Sequence, residues 1–211
     1  MITTLLQVAL SAILGITGSS SPVSTFDKNN DGWTLGTYAS SDFTGAYRSF
    51  GKAAWMPKGG NPGGCAYCND VESDTDTFFV APKKFLGTQS AYYGGNLSYD
   101  LNDTDGAESN QTAAVVLKGG GLTICYASKQ LPATKPNKFT HFSIPLREKG
   151  WSKDKYHGTN VSAADFKRIL SNVTELSIRS EYHSGPDDNH LDNVRYTTVH
   201  KKAQKKKAAK K

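Results

Sequence analysis

Residues 78–101, FFVAPKKFLGTQSAYYGGNLSYDL, constrain the chain most, because two β-favouring runs flank a loop built around Pro82, the pair Lys83-Lys84 and three glycines. Aromatic and β-branched residues suit a pleated, half-buried surface, whereas Pro and Gly interrupt regular structure. The same grammar recurs along the chain. Short strands are predicted at 34–38, 47–50, 77–81, 97–101, 113–117, 122–126, 139–145, 175–182 and 190–199. Their apolar period is nearer two than 3.6, with Leu122, Ile124 and Tyr126 facing one way. Residues 51–76, rich in Gly, Pro, Asn and acids, read as one long loop of the kind that binds or varies.

One helix stands apart. Ser162-Ala-Ala-Asp165 has the form of a capping box, in which the Ser hydroxyl accepts the third amide and the acid lies over the positive helix end. Phe166, Ile169 and Leu170 then share a face, and Asn172 ends the helix. With 211 residues, ten Tyr and nine Phe, the chain has enough apolar mass for one substantial core. Turn signals every ten or so residues and one short helix before the closing strands predict an all-β fold: two antiparallel sheets packed as a sandwich.

The formal charge of +6 is uneven, because seven lysines lie in KKAQKKKAAKK at the end of the sequence. Without them, eighteen Lys/Arg stand against nineteen Asp/Glu. No specific nucleic-acid partner is expected, and polyanion contact with heparan-type polysaccharide, acidic glycan or anionic lipid is assigned to the tail. Residues 1–18 look like the apolar core of a signal peptide, followed by small residues at a cleavage zone. The apolar stretch is short for a membrane anchor and is interrupted by Thr3, Thr4, Gln7 and Ser11, so secretion without a transmembrane span in the mature chain is expected. The expected organisation is therefore a signal peptide at 1–18, a linker at 19–25, one domain at 26–199 and a disordered Lys-rich tail at 200–211.

Five glycosylation sequons, at Asn96, Asn102, Asn110, Asn160 and Asn172, fit the secretory address. Three cysteines leave an odd thiol whichever pair forms. The Cys65–Cys68 spacing lies in a Pro/Gly-rich segment, away from the strand-to-helix turn of a redox motif, and lacks the second ligand pair of a zinc site. A Cys65–Cys68 disulfide pinning a small loop, or one of these reaching Cys125, is expected.

No catalytic constellation is marked. Asp70, Glu72, Asp74 and Asp76 alternate as a solvated acidic run, without the pair of contrasting carboxylates that glycoside hydrolysis requires. His141, His157, His183, His190 and His200 are scattered, and no G-x-S-x-G elbow occurs. Among the large aromatics, Trp55 and the pair Tyr92-Tyr93 are candidates for a sugar-stacking platform. Trp33 reads as core and Trp151 as packing beneath the helix.

Together with FDKNNDGW at 26–33, GGGLTICY at 119–126, FKRILSNVTELSIRSEY at 166–182 and HLDNVRY at 190–196, the opening stretch resembles the laminin IV type A domain, also called the laminin B domain. The resemblance runs from Phe26 to Thr198. It implies a jelly-roll sandwich like those of carbohydrate-binding modules, an extracellular habit and no catalytic site. It also implies that the first and last strands lie side by side, which would bring Asp27 and Asp192 together as ligands of a structural Ca²⁺. Calcium takes six to eight hard oxygens, readily completed by carbonyls and water. The DKNND run at 27–31 lacks the terminal Glu of an EF-hand loop. The EGF-like repeats that surround the domain in laminins are absent from this sequence, so assembly into a laminin trimer is not carried over. The expected role is a secreted binding module for extracellular glycans or matrix proteins, with polysaccharide recognition as the alternative.

Overall fold

The computed structural model describes residues 21–38, 42–69, 76–108, 112–183 and 188–199. The expected signal peptide at 1–18 and the tail at 200–211 lie outside the described residues, as do Asp70, Glu72, Asp74, Asn110 and His200.

In chain order the strands are β1 (Val23–Ser24), β2 (Thr34–Thr37), β3 (Arg48–Lys52), β4 (Ala54–Gly60), β5 (Gly63–Asn69), β6 (Thr77–Val80), β7 (Asn96–Asp103), β8 (Val115–Gly119), β9 (Leu122–Tyr126), β10 (Thr140–Pro145), β11 (Trp151–Lys153), β12 (Val173–Arg179) and β13 (Asp188–Thr197). Among the described residues a single α-helix, α1 (Ala163–Ser171), precedes β12. One sheet runs β10-β7-β13-β5-β4, with β1 added against β13; the other runs β11-β9-β8-β12-β6-β2-β3. All pairings between strands are antiparallel.

Strand alternation builds the core. On β7, Leu97, Tyr99 and Leu101 point inward, and on β13 Leu191, Val194 and Tyr196 join them. Leu35, Phe79, Val115, Leu117, Ile124, Leu176 and Ile178 close the core from the second sheet. Each such side chain contributes about 1.5–3 kcal/mol when taken out of water. Trp33 is fully buried, its indole N–H donating to Ser24 Oγ at 2.9 Å and its ring 5.5 Å from Phe85. A smaller cluster of Tyr38, Phe43, Phe78, Val116 and Cys125 packs separately from this core.

The helix forms as its sequence dictates. The Asp165 amide donates to Ser162 Oγ at 3.1 Å, the Ser162 amide returns to Asp165 Oδ2 at 3.3 Å, and Asn172 caps the C-terminus. Phe166, Ile169 and Leu170 are buried, and Trp151 lies against Phe166 with ring centroids 5.4 Å apart.

The expected long loop at 51–76 is corrected. Lys52 ends β3, and β4 and β5 form a hairpin around the Asn61–Pro62 turn. Exposure along the edge strand β4 removes the apolar alternation that would have marked it, and four glycines mask its arms. The linker expected at 19–25 is corrected in part, since Val23 and Ser24 pair with Arg195 and Val194. That pairing is the juxtaposition of first and last strands that the family resemblance implied.

Candidate functional site

The β1–β13 pairing delivers the chain at Phe26-Asp27 to the outer edge of β13, where the β4–β5 turn folds over two further acids. Asp192 sits at a bulge in β13, its register against β7 shifting between Asp192 and Arg195, and the next residue, Asn193, has φ +53°. The Asn61 amide donates to Asp192 Oδ2 at 2.6 Å and the Asn193 amide to Asp192 Oδ1 at 2.6 Å. Asp100, opposite Asp192 on β7, accepts the side-chain amides of Asn61 at 3.1 Å and Asn193 at 2.9 Å, and lies 2.6 Å from His141 Nδ1. The close approach of the turn requires glycine. A Cβ on Gly60 would meet Asp192 Oδ2 at 2.8 Å, and one on Gly63, whose φ is +90°, would meet Asp27 Oδ1 at 2.9 Å.

Burial pushes the Asp192 carboxyl up to about 6; repulsion from Asp100 and Asp27 adds to this, while the Asn61 and Asn193 amides pull the other way. Burial and the neighbouring Asp192 likewise push the Cys65 thiol up to about 12.

Three oxygens converge on the Asn193 side-chain nitrogen: Asn61 O at 2.5 Å, Asp100 Oδ2 at 2.9 Å and Asp192 Oδ2 at 3.4 Å. An NH₂ group has two hydrogens to offer three acceptors. Two carboxylates and a carbonyl are the hard donors that calcium prefers, so the donor chemistry fits that ion once the Asn193 amide turns its oxygen inward. Among the described residues no group of three His, Cys, Asp or Glu gathers as a metal site. Asp27 contributes its charge to Asp192, but its carboxylate accepts the Thr25 hydroxyl at 2.7 Å. Asp100 and Asn61 are thus the partners that the sequence left unnamed. The alternation Leu97, Tyr99, Leu101 already placed Asp100 on the outer face of its strand, but nothing local tied it to Asp192.

The aromatic candidates separate. Trp55 is 37% exposed, with its indole N–H donating to Phe26 O at 2.7 Å, beside Met56, which is also 37% exposed. Tyr92 is corrected: at 8% exposure it packs on Tyr196 with centroids 5.2 Å apart, because the 3₁₀ turn at Ser90–Tyr92 directs it inward. Tyr93 is half-buried, donates to Glu148 Oε2 at 2.9 Å and lies under Lys167. An unforeseen patch lies on the outer face of the first sheet, where Tyr67 packs on His190 at 5.4 Å and donates to Asp188 at 2.5 Å.

The expected disulfides are corrected too, as Cys65, Cys68 and Cys125 are buried and not joined to one another. In an extended strand, residues three apart point to opposite faces, so Cys65 and Cys68 diverge, and Cys125 belongs to the other sheet, bonded to Ser152. Among the sequons, Asn160 and Asn172 are exposed and Asn96 is half-buried. Asn102 is corrected as a glycan acceptor: it is fully buried, and its amide nitrogen donates to Ala133 O at 2.5 Å and Lys135 O at 3.1 Å. Asp76, the described member of the acidic run, pairs with Arg179 at 2.8 Å.

The family profile "Laminin B (Domain IV)" matches residues 78–211. Laminin subunit gamma-2 of Equus caballus is 35% identical over 119 residues, covering 53% of this chain and 10% of that protein. The chain therefore spans about a tenth of the length of the curated relatives it matches. Among solved structures, the L4b domain of human laminin alpha-2 aligns over 58% of this chain and 70% of its own, with TM-score 0.51 and 21% identity. A family 11 carbohydrate-binding module of a Clostridium thermocellum cellulase aligns over 88% of this chain and 100% of its own, with TM-score 0.49 and 12% identity. Among the described residues, no helix is long and apolar enough to cross a membrane.

Proposed function

The chain belongs to the laminin B (Domain IV) family, and we propose that it is a secreted, non-catalytic module that binds matrix or cell-surface ligands. The observation that carries this reading is the family match over the greater part of the chain. A chain of this kind acts through its surfaces. Its test is expression of the full chain in cultured animal cells. The tagged protein is expected in the medium and in the deposited matrix fraction, with glycan on Asn160 or Asn172. Retention inside the cell, or release into medium with no deposition, contradicts the proposal.

A structural Ca²⁺ at the acidic edge is part of the same reading. Asp100, Asp192 and the Asn61 carbonyl would hold it, with Asp27 adding negative charge, and the ion would fasten β13 and β7 to the β4–β5 turn. A ligand that binds the folded state alone raises stability in proportion to the logarithm of its concentration. EDTA-treated protein should melt at higher temperature as calcium is added, and Asp192→Asn should abolish the rise. An equal rise in both chains would remove the ion from this edge.

Polysaccharide recognition is the second reading, favoured by Trp55. Its indole is tethered to Phe26 O while the residue stays partly exposed, as a stacking surface requires. Neutral oligosaccharides should quench fluorescence in the native chain and have no such effect in Trp55→Phe. Unchanged fluorescence across a glycan panel counts against it.

A further inference from the structure

We propose that the side wall formed by residues 129–168 binds an acidic, sulfated polysaccharide through its exposed cations, and that the folded domain carries this affinity independently of the lysine tail. The inference rests on the extracellular reading above and names a ligand class and a surface for it.

Charge is polarised within the folded region. Between Lys129 and Arg168 the sequence places nine Lys/Arg against three Asp/Glu, whereas residues 26–128 and 169–199 together hold nine against sixteen. Topology gathers the basic segment on one side, because β10 is the end strand of the first sheet and β11 the end strand of the second. The chain between them therefore forms one side of the sandwich, and α1 adjoins it where Phe166 meets Trp151. Trp151 locks this wall together, donating from its indole to Pro145 O at 2.7 Å and packing on Phe166. The segment leading into β10 is pinned by Asn102 to Ala133 O and Lys135 O, and by Gln130 to His141 O at 3.1 Å.

Of the three acids of the wall, Asp154 is exposed and the other two are engaged. Asp165 is held by Lys153 at 2.7 Å and by Ser162, and Glu148 accepts the Tyr93 hydroxyl. Lys129, Lys135, Lys138, Arg147, Lys149, Lys155, Lys167 and Arg168 are all exposed, and none is in a salt bridge among the described residues. A groove of about 530 Å³ opens on this wall, lined by Lys149, Ser152, His157 and Asn160 and also by Glu148.

A lipid surface is disfavoured, since membrane-binding faces add large apolar side chains to their basic residues. The exposed large hydrophobics here are Val23, Trp55, Met56 and Val199, all outside the wall. Spread cations on a rigid support, with hydroxyl and amide groups in the groove, suit a polymer that repeats its negative charge and offers hydroxyls between.

Heparin binding by three full-length chains tests the proposal, all carrying Asn160→Gln so that no glycan covers the groove. The first is otherwise unchanged. The second has every lysine from Lys201 to Lys211 replaced by Gln. The third adds Arg147→Glu, Lys149→Glu and Lys155→Glu to the second. The tail-neutral chain should retain salt-sensitive heparin binding, and the wall charge reversals should weaken it about tenfold or more at an unchanged melting temperature. Loss of all binding on neutralising the tail, equal binding by the second and third chains, or preference for phosphatidylserine vesicles over heparin would each overturn it. None of these results touches the matrix reading, which deposition in cell culture judges separately.

Discussion

The acidic edge under the β4–β5 turn and the basic wall along β10, β11 and α1 handle charge in opposite ways. At the edge, Asp192 is fully buried and both its oxygens accept backbone amides, so the carboxylate is part of the architecture. On the wall, eight cations face water outside any salt bridge among the described residues. A satisfied buried charge stabilises a turn and is expensive to disturb, whereas a solvated one costs little to remove and stays free for a ligand. The difference separates what holds this laminin B sandwich together from what it presents.

The largest effect should come from Asp192→Ala, which leaves the Asn61 and Asn193 amides without acceptors. A loss of about 3 kcal/mol is expected, read as a lower urea midpoint with unchanged slope. A loss no greater than that of a wall lysine would erase the contrast. Gly63→Ala should cost about 1–3 kcal/mol, because φ +90° strains any side chain and the new Cβ would press on Asp27. Gly45→Ala, at a position with open space around its Cβ, is the matched control.

Ser162→Ala should cost about 1 kcal/mol through loss of the helix cap. Its partner gives a pH signature. Lys153 and then Ser162 hold the Asp165 carboxyl down at about 2. A depressed carboxylate contributes stability that is fully present above its ordinary value near 3.8 and is lost as pH falls towards 2. Asp165→Asn should therefore flatten that part of the acid limb of the stability profile, followed by circular dichroism. The smallest effect belongs to the wall itself, where Lys149→Ala should change stability by no more than about 0.5 kcal/mol.

Much of the sandwich was legible because period-two alternation is a local signal. It placed β2, β6, β9 and β10 within a residue or two of their ends, and the capping box fixed the start of α1. The same signal failed at β4 and β5, where an exposed edge and four glycines hide the pattern, and at β11, only three residues long. Asp27 and Asp192 were legible as neighbours once β1 met β13, yet Asp100 and Asn61 were not, since their convergence depends on a hairpin turn folding over two non-adjacent strands. Tyr92 and Asn102 misled for the converse reason. A polar tip or a sequon says nothing about burial, and tertiary packing placed both inside. The basic wall escaped notice because its excess charge cancels against acids elsewhere, leaving only the tail visible in the sum.

Amide hydrogen exchange of the full chain, with and without a heparin oligosaccharide, reads both regions in a single sample. Slow exchange at Asn61 and Asn193 in either condition, together with new protection confined to residues 129–168 on adding the sugar, is the predicted result. Free exchange at those two amides, or protection arising on β4 around Trp55 instead, would contradict the division between a structural acidic edge and a ligand-bearing basic wall.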